Sequence, residues 1–329
     1  MTRPAALRLG VPAQGMLAHR TLPQLLAPDR LVPGLRRTVD VLLAWGRRPS
    51  ALRVERFARQ WDLPVWHLED GLLRSVAKGP QHPPLALLVD ELGVHFDATA
   101  PSQMEQLIAA PITTDEAARA RALQRLWQEQ RLSKVNPPVE AEVPKEPYVL
   151  VVDQSAGDRS IALGLADASS FQRMLQAALK DHPDCTVVLK VHPDVIAGRA
   201  RGHFTAKDLA QPRVRLSADG GHPSLLLERA RAVYVVTSQM GFEALLWGRP
   251  VHCFGMPFYG GWGLTLDRCE APIRRRPGAS FEALIHAALV GTCRCIDPQR
   301  HQPCRIETLM VAIGLQRRLQ AQQPRRCVA

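Results

Sequence analysis

The stretch YVLVVDQSAGDRS, Tyr148–Ser160, decides the fold. Its first five residues are apolar without alternation, the pattern of a strand covered on both faces of a sheet rather than wet on one. Asp153 and Gln154 end the run, and Gly157 permits a tight turn through Asp158, Arg159 and Ser160 into the next element. The unit recurs on both sides. CTVVLKVHPD (Cys185–Asp194), AVYVVTS (Ala232–Ser238) and PVHCFG (Pro250–Gly255) read as further strands, with SSFQRMLQAALKDH (Ser169–His182) and GFEALLWG (Gly241–Gly248) as helices between them. Upstream, VDVLLAWG (Val39–Gly46) and PVWHLED (Pro64–Asp70) flank SALRVERFARQWD (Ser50–Asp62), whose Leu52, Phe57 and Trp61 recur at helical spacing. Strands alternating with helices predict an α/β fold with parallel sheets.

The proline-rich segment NPPVEAEVPKEP, Asn136–Pro147, supports neither a helix nor a central strand, so the domain boundary is placed there. Two Rossmann-type domains are expected, residues 1–140 on the acceptor side and 141–329 binding the donor, with Pro303–Gln320 as a closing helix of the second. Their parallel sheets would face each other across a cleft, with the loops that follow the strands carrying the chemistry.

The chain of 329 residues carries a net charge of +11, with 46% hydrophobic and 22% charged residues. That excess implies an anionic partner, and charge alone does not choose among nucleic acid, a lipid surface and acidic small molecules. Taken singly, runs such as Arg274-Arg275-Arg276 read as solvated faces. No apolar segment reaches the length of a membrane span and no signal sequence is evident, so a cytoplasmic protein is expected. Seven cysteines fit reduced thiols, and Cys293, Cys295, His301 and Cys304 lack the paired spacing of a structural metal site. No metal and no cofactor are expected.

Five strand exits place polar groups where chemistry is done. HLEDGLLRS offers Glu69, Asp70 and Arg74, suited to acid/base work and to holding an anion, or to capping a helix beside a surface ion pair. VVDQSAGDRS offers Asp153, Gln154 and Asp158. VVLKVHPD offers Lys190 and His192, with Pro193 stopping the strand. In VTSQMGFEALLWGRPVHCFGMPFYGGWGLT, Val236–Thr265, the hydroxyls of Thr237 and Ser238 precede a helix opening at Gly241, a place for phosphate, and Glu243 could receive a ribose or stand as a first-turn acid. The glycine- and aromatic-rich remainder suits a mobile loop closing over a ligand. Asp90 and Asp97, in LLVDELGVHFDAT, line the cleft or cap turns.

Read in order, WGRRPS, HLEDGLLRS, LLVDELGVHFDAT, VVDQSAGDRS, KVHPDVIAG, the long Val236–Thr265 stretch and CRCIDP resemble the capsular-polysaccharide β-Kdo glycosyltransferases of KpsC type over roughly Val41 to Arg318. Family members often carry two catalytic modules, and this chain is similar to one, the N-terminal type. The net charge and the lack of an apolar span lead to the expectation of a protein peripheral on the anionic inner-membrane surface, and acidic residues at the strand exits, which would repel a polyanionic backbone, to that of no nucleic acid partner. The resemblance implies a GT-B-like fold, CMP-Kdo as donor, retention of configuration, and a Kdo-bearing phospholipid acceptor. It places His192, Pro193 and Ser238 on the donor phosphate and makes Glu69, Asp70, Asp153 and Asp158 the catalytic candidates. A retaining reaction with a covalent step needs a carboxylate nucleophile, Asp158 with Asp153 second, and an acid/base, Glu69 or Asp70. Arg74 would pair with the sugar carboxylate, and Gln154, Lys190, Thr237, Gly241 and Glu243 complete the donor site. Two other readings compete: a glycosyltransferase or epimerase of UDP-sugars, and a non-catalytic basic binding protein.

Overall fold

A computed structural model describes residues 6–12, 14–77, 79, 81–191 and 193–322. The chain forms two compact units, one of Met1–His95, Pro101–Asn136 and Ile285–Ala329, the other of Phe96–Ala100 and Pro137–Leu284.

The first unit's sheet starts with β1 (Arg8–Val11), β2 (Arg30–Pro33), β3 (Val41–Trp45), β4 (Val65–Asp70) and β5 (Ala86–Asp90). The second unit holds β6 (Tyr148–Val152), β7 (Thr186–Lys190), β8 (Val214–Ser217), β9 (Val233–Val235), β10 (Val251–Cys253) and β11 (Leu266–Asp267). The chain then returns to the first sheet with β12 (Cys293–Ile296) and β13 (Pro303–Cys304). Strand orders are β13-β12-β5-β4-β3-β1-β2 and β11-β10-β9-β6-β7-β8.

The class is α/β, and the second sheet is parallel throughout. Its core is built on the unbroken runs: Val149, Val151, Val187, Leu189 and Tyr234 pack against Phe171, Met174 and Leu175 of the helix Ala168–Asp181. The first sheet departs from expectation. It is parallel from β2 to β4, but β4, β5, β12 and β13 pair antiparallel. No helix is described between β4 and β5, and without a crossover the chain can only turn back on itself.

Two further expectations change. The closing helix, Ile306–Gln322, packs on Thr114–Gln130 in the first unit, not in the second. Arg119 clamps Glu307 with Nε to Oε1 at 2.7 Å and Nη2 to Oε2 at 3.1 Å, and Gly314 lies where a Cβ would meet Gln130 Oε1 at 2.3 Å. The helix Pro49–Trp61 forms as its spacing predicts but buries another face. Ala51, Val54 and Ala58 pack on Val39, Leu42 and Ala44, while Leu52 and Trp61 stand 45% and 41% exposed. Two alanines let the helix approach the sheet closely, leaving the bulkier side chains outside.

The aromatic stretch after β10 is not a mobile loop. Met256, Phe258, Tyr259 and Trp262 are buried, Trp262 Nε1 donates to the Phe258 carbonyl at 2.9 Å, and Gly261 N donates to Asp267 Oδ2 at 2.9 Å. Arg275, read as part of a solvated run, is buried beneath this turn and donates from Nη1 to the carbonyls of Pro257 and Gly260, its guanidinium 5.9 Å from the Trp262 ring. A core arginine spent on carbonyls cannot be trimmed cheaply. Arg275→Leu strands two buried acceptors and is expected to cost about 2–4 kcal/mol, measured as a lower urea midpoint with an unchanged slope.

Candidate functional site

In the second unit the exits of β6, β7 and β9 carry the polar groups. Gln154 is buried and joins β6 to its neighbour β9. Its Oε1 accepts from Thr237 N at 2.9 Å, while its Nε2 lies 3.0 Å from Thr237 Oγ1, 3.3 Å from Ser160 Oγ and 3.4 Å from Asp158 Oδ2. Ser160 Oγ and Thr237 Oγ1 are themselves 3.0 Å apart. Gly164 and Gly255 hold Thr237 in place, since a Cβ at either would meet Thr237 Cγ2, at 2.4 and 2.9 Å respectively.

The two aspartates of this loop have opposite surroundings. Asp153 is buried, and its carboxylate accepts the backbone N–H of Gln154 at 2.8 Å, that of His203 at 3.2 Å, and His203 Nδ1 at 3.2 Å. Gly202 approaches so closely that a Cβ would lie 2.2 Å from Asp153 Oδ2. Asp158 is exposed, caps the helix Arg159–Leu163 by accepting Ser160 N at 2.9 Å on Oδ1, and turns Oδ2 toward Gln154. Gly157, at φ +85°, makes the turn that presents it.

His203 was not singled out from the sequence. Its Nδ1 faces two acceptors, Asp153 Oδ1 and the Gln154 carbonyl at 3.0 Å, so Nδ1 carries the proton. The ring stacks on Phe171 with centroids 3.7 Å apart, which fixes its plane. Only the Gly-His-Phe setting after the strand marks it in the sequence.

Lys190 ends β7 beside Asp153, whose N donates to the Lys190 carbonyl at 2.9 Å. Its side chain is 9% exposed and makes no hydrogen bond among the described residues; burial lowers its pKa, opposed by Asp219 and Glu243. Across the ladder Ser217, paired with Lys190, has a buried Oγ without a partner among the described residues. Glu243 is buried and accepts Gln239 Nε2 at 3.1 Å. Ser238 gives its carbonyl to Tyr259 Oη, and Gly241 is where a Cβ would collide with that same hydroxyl at 2.2 Å, so this glycine's visible task is packing. His192 lies outside the described residues, and Pro193 opens the short helix Pro193–Ile196.

In the first unit Glu69 and Asp70 end β4. Burial lifts Glu69 to about 7, with Lys134 and Arg48 pulling down and Asp70 pushing up. Glu69 shares a small cavity with His67, Asp90, His95, Met104 and Thr292. Asp70 Oδ2 accepts Arg74 Nε at 3.1 Å, and Arg74 Nη1 goes to Ser75 Oγ and the carbonyls of Ala77 and His82. Arg74 thus pins its own loop, leaving Nη2 without a partner among the described residues. His19, also missed in the sequence, has a buried Nδ1 without a partner among the described residues; burial lowers its pKa, and it feels both Asp70 and Arg74. Asp90 accepts the N–H groups of Leu92, Gly93, Gln103 and Met104, and Asp97 that of Thr99; both cap turns. Cys295 and Cys304 face each other with sulfurs 3.9 Å apart, and among the described residues no three His, Cys, Asp or Glu side chains converge as metal ligands. No described helix is long and apolar enough to cross a membrane.

Comparison with known proteins follows from this geometry. The family model "Capsule polysaccharide biosynthesis protein" matches residues 40–121 and 113–295. The capsule polysaccharide modification protein LipA of Neisseria meningitidis serogroup A is 39% identical over 305 residues, 88% of this chain and 43% of that protein. The lipopolysaccharide-processing protein LpsZ of Rhizobium meliloti is 34% identical over 289 residues, 85% of this chain and 65% of that one. The chain thus spans less than half the length of LipA. The solved β-Kdo 2,4 transferase of Thermosulfurimonas dismutans KpsC superposes with TM-score 0.86 at 34% identity, covering 94% of this chain and 98% of that one. The 2,7 transferase of the same protein shares the fold, with TM-score 0.71 at 24% identity, covering 94% and 99%. Two Rossmann-like units of a GT-B-like fold, related to the KpsC Kdo transferases, describe the chain.

Glu69 generates a test of its own environment. Its carboxyl holds a proton more tightly when folded than when unfolded, so ionisation destabilises the fold as pH rises from the unfolded value of 4.5 through about 7. Glu69→Gln removes that cost. The variant is expected to unfold later than the wild type at pH 8, by on the order of 2 kcal/mol, with the gap closing below pH 5 in thermal melts.

Proposed function

The chain belongs to the capsule polysaccharide biosynthesis protein family, and from that premise we propose that it is a retaining β-Kdo glycosyltransferase. It moves Kdo from CMP-Kdo onto a Kdo-bearing phospholipid, working as a peripheral protein at the anionic cytoplasmic face of the inner membrane. The solved 2,4 transferase, 34% identical to this chain, favours the 2,4 linkage for the product.

The observation that carries the reading is the contrast between Asp153 and Asp158. A nucleophilic carboxylate must reach the anomeric carbon with a free lone pair. Asp153 is buried and its oxygens are engaged by Gln154 and His203, whereas Asp158 is exposed on a glycine turn. In the first step Asp158 attacks the anomeric carbon, the bond from that carbon to the CMP phosphate oxygen breaks, and the electron pair leaves with CMP. In the second the acceptor hydroxyl attacks, the bond to Asp158 breaks, and the hydroxyl proton passes to a base. Glu69, lifted to about 7, is that base, because it can gain and lose a proton near neutral pH. Asp70 orients Arg74, whose free Nη2 meets the sugar carboxylate.

Asp153 acts as a positioning residue. It holds the His203 ring through Nδ1 beside the exit of β6. Lys190 supplies a cation with unspent donors, and Ser238 and Thr237 supply hydroxyls, while Gln154 holds this set together. From the resemblance, His192 and Pro193 join them, and Gly241 and Glu243 bound the same site. With the leaving charge met by side chains, turnover is expected to survive EDTA; loss restored by magnesium or manganese would overturn that part.

The decisive experiment mixes the protein with CMP-Kdo and no acceptor. Intact mass spectrometry is expected to show a gain of one Kdo, mapped to Asp158, and Asp158→Ala is expected to abolish transfer while CMP binding in calorimetry persists. An adduct on Asp153 moves the nucleophile. An active Asp158→Ala enzyme removes this residue from the chemistry, and binding of UDP in place of CMP changes the donor class.

A further inference from the structure

The helix Pro49–Trp61 turns out a face that its packing does not explain. Ala51, Val54 and Ala58 take the sheet, which leaves Leu52, Arg53, Arg56 and Arg59 exposed in sequence across the outer side. Trp61, 41% exposed at the helix end, lies 6.3 Å from the Phe57 ring, and the exposed Arg37 covers it with its guanidinium 5.1 Å from the ring centroid. Exposed Arg36 adjoins this group.

The charge here is concentrated. Residues 36–61 carry seven arginines and two acids, close to half of the chain's net +11. Both acids are engaged: Glu55 pairs with Arg47 at 2.8 Å, and Asp40 accepts Arg8 N at 2.6 Å. Arg53, Arg56 and Arg59 have no acid partner among the described residues. Cations desolvate cheaply only against anions, and exposed Trp and Leu among arginines are the composition of a helix that lies in the lipid headgroup layer. At the start of the helix, Arg48 is close enough to Glu69 to favour its ionised form, so the face runs up to the first unit's carboxylates.

We infer that the outer face of the helix Pro49–Trp61, with Arg36 and Arg37, is the surface on which this protein lies against an anionic phospholipid leaflet. The inference rests on the proposed lipid-borne acceptor for its purpose. An acceptor embedded by its lipid reaches the solution only through its sugar, and an enzyme lying flat on the headgroups meets that sugar at membrane height. Arginine heads pair with phosphates while Leu52 and Trp61 enter the interface beside them.

The test is co-sedimentation of the full chain with vesicles, without donor or acceptor, so its outcome is independent of the transferase reading. The wild type is expected to bind phosphatidylglycerol vesicles, to ignore phosphatidylcholine vesicles, and to be released as salt rises. Arg53→Glu/Arg56→Glu/Arg59→Glu is expected to weaken binding by about tenfold or more. The matching Gln variant is expected to fall between, and Trp61→Ser to weaken binding at constant charge. A control reversing the exposed Arg125, Lys207 and Arg215 changes the net charge equally and is expected to bind like the wild type. Circular dichroism melts confirm that each variant is folded. Equal loss in the control and the helix variant would assign binding to net charge and overturn the proposal. So would wild-type-like binding by the helix variant, indifference of the wild type to phosphatidylglycerol, or displacement of the vesicles by a duplex oligonucleotide at equimolar charge. If binding behaves as expected but no Kdo is transferred, the surface stands and the enzymatic reading falls.

Discussion

The side-chain amide of Gln154 ties the β6 chain to the β9 chain three residues past their last ladder pair, Val151 with Tyr234. Its oxygen takes the Thr237 N–H and its nitrogen faces the Thr237 hydroxyl, an arrangement a backbone peptide would make if the strands ran on. The remaining reach of that nitrogen extends to Ser160 and Asp158, so the helix start carrying Asp158 is referenced to the same sheet edge. An amide carries its acceptor and its donors on separate atoms, so an ionised carboxylate, which only accepts, could not take this place without leaving one partner unmatched. The positions of Thr237, Ser160 and Asp158 all depend on this one group.

Three carboxylates of identical chemistry are set to different work by their surroundings. Asp153 is enclosed by N–H donors and a histidine ring, so its charge serves orientation. Asp158 stands in solvent with one oxygen capping a helix and the other only loosely approached. Glu69 lies where desolvation outweighs Lys134 and Arg48 and lifts it to about 7. A nucleophile has to stay ionised and reachable, while a proton acceptor gains from a pKa near the working pH. The roles proposed for them rest on these environments rather than on residue type.

What was legible in the sequence follows the range of the physics involved. The runs Tyr148–Val152 and Thr186–Lys190 announce buried parallel strands because burial on both faces forbids polar residues locally. That β12 extends the first sheet antiparallel to β5 was not legible, because β12 arrives from about two hundred residues downstream. The helix Pro49–Trp61 was legible as a helix, but its buried face was misread, since size was weighed and fit was not; alanines make the contact. His203 escaped notice because its significance lies in a contact with Asp153, 50 residues away. Strand exits are local features and could be read from the sequence, whereas the burial that distinguishes Asp153, Asp158 and Glu69 is not local.

The positive charge of the chain illustrates why composition limits function so weakly. Arg275 is buried on carbonyls, Arg213 donates to the carbonyls of Leu179, His182 and Cys185, Arg74 pins its loop, and Arg119 clamps the closing helix. These guanidiniums act as multi-toothed hydrogen-bond donors that complete backbone ends, a task for which the planar five-donor group is suited and for which its charge is incidental. Their long-range field persists, but donors engaged in this way are not available to a ligand; among the described residues Arg74 keeps Nη2 unpaired. Among the described residues, cations with unspent donors include Lys190 behind the second unit's strand exits and the arginines outside the helix Pro49–Trp61. One is single, buried and beside a serine hydroxyl without a partner, suited to a small phosphate; the others are several, exposed and mixed with apolar side chains, suited to an extended surface. The same formal charge therefore divides into a structural share, a site share and a surface share, and only the contacts made by each side chain tell which is which.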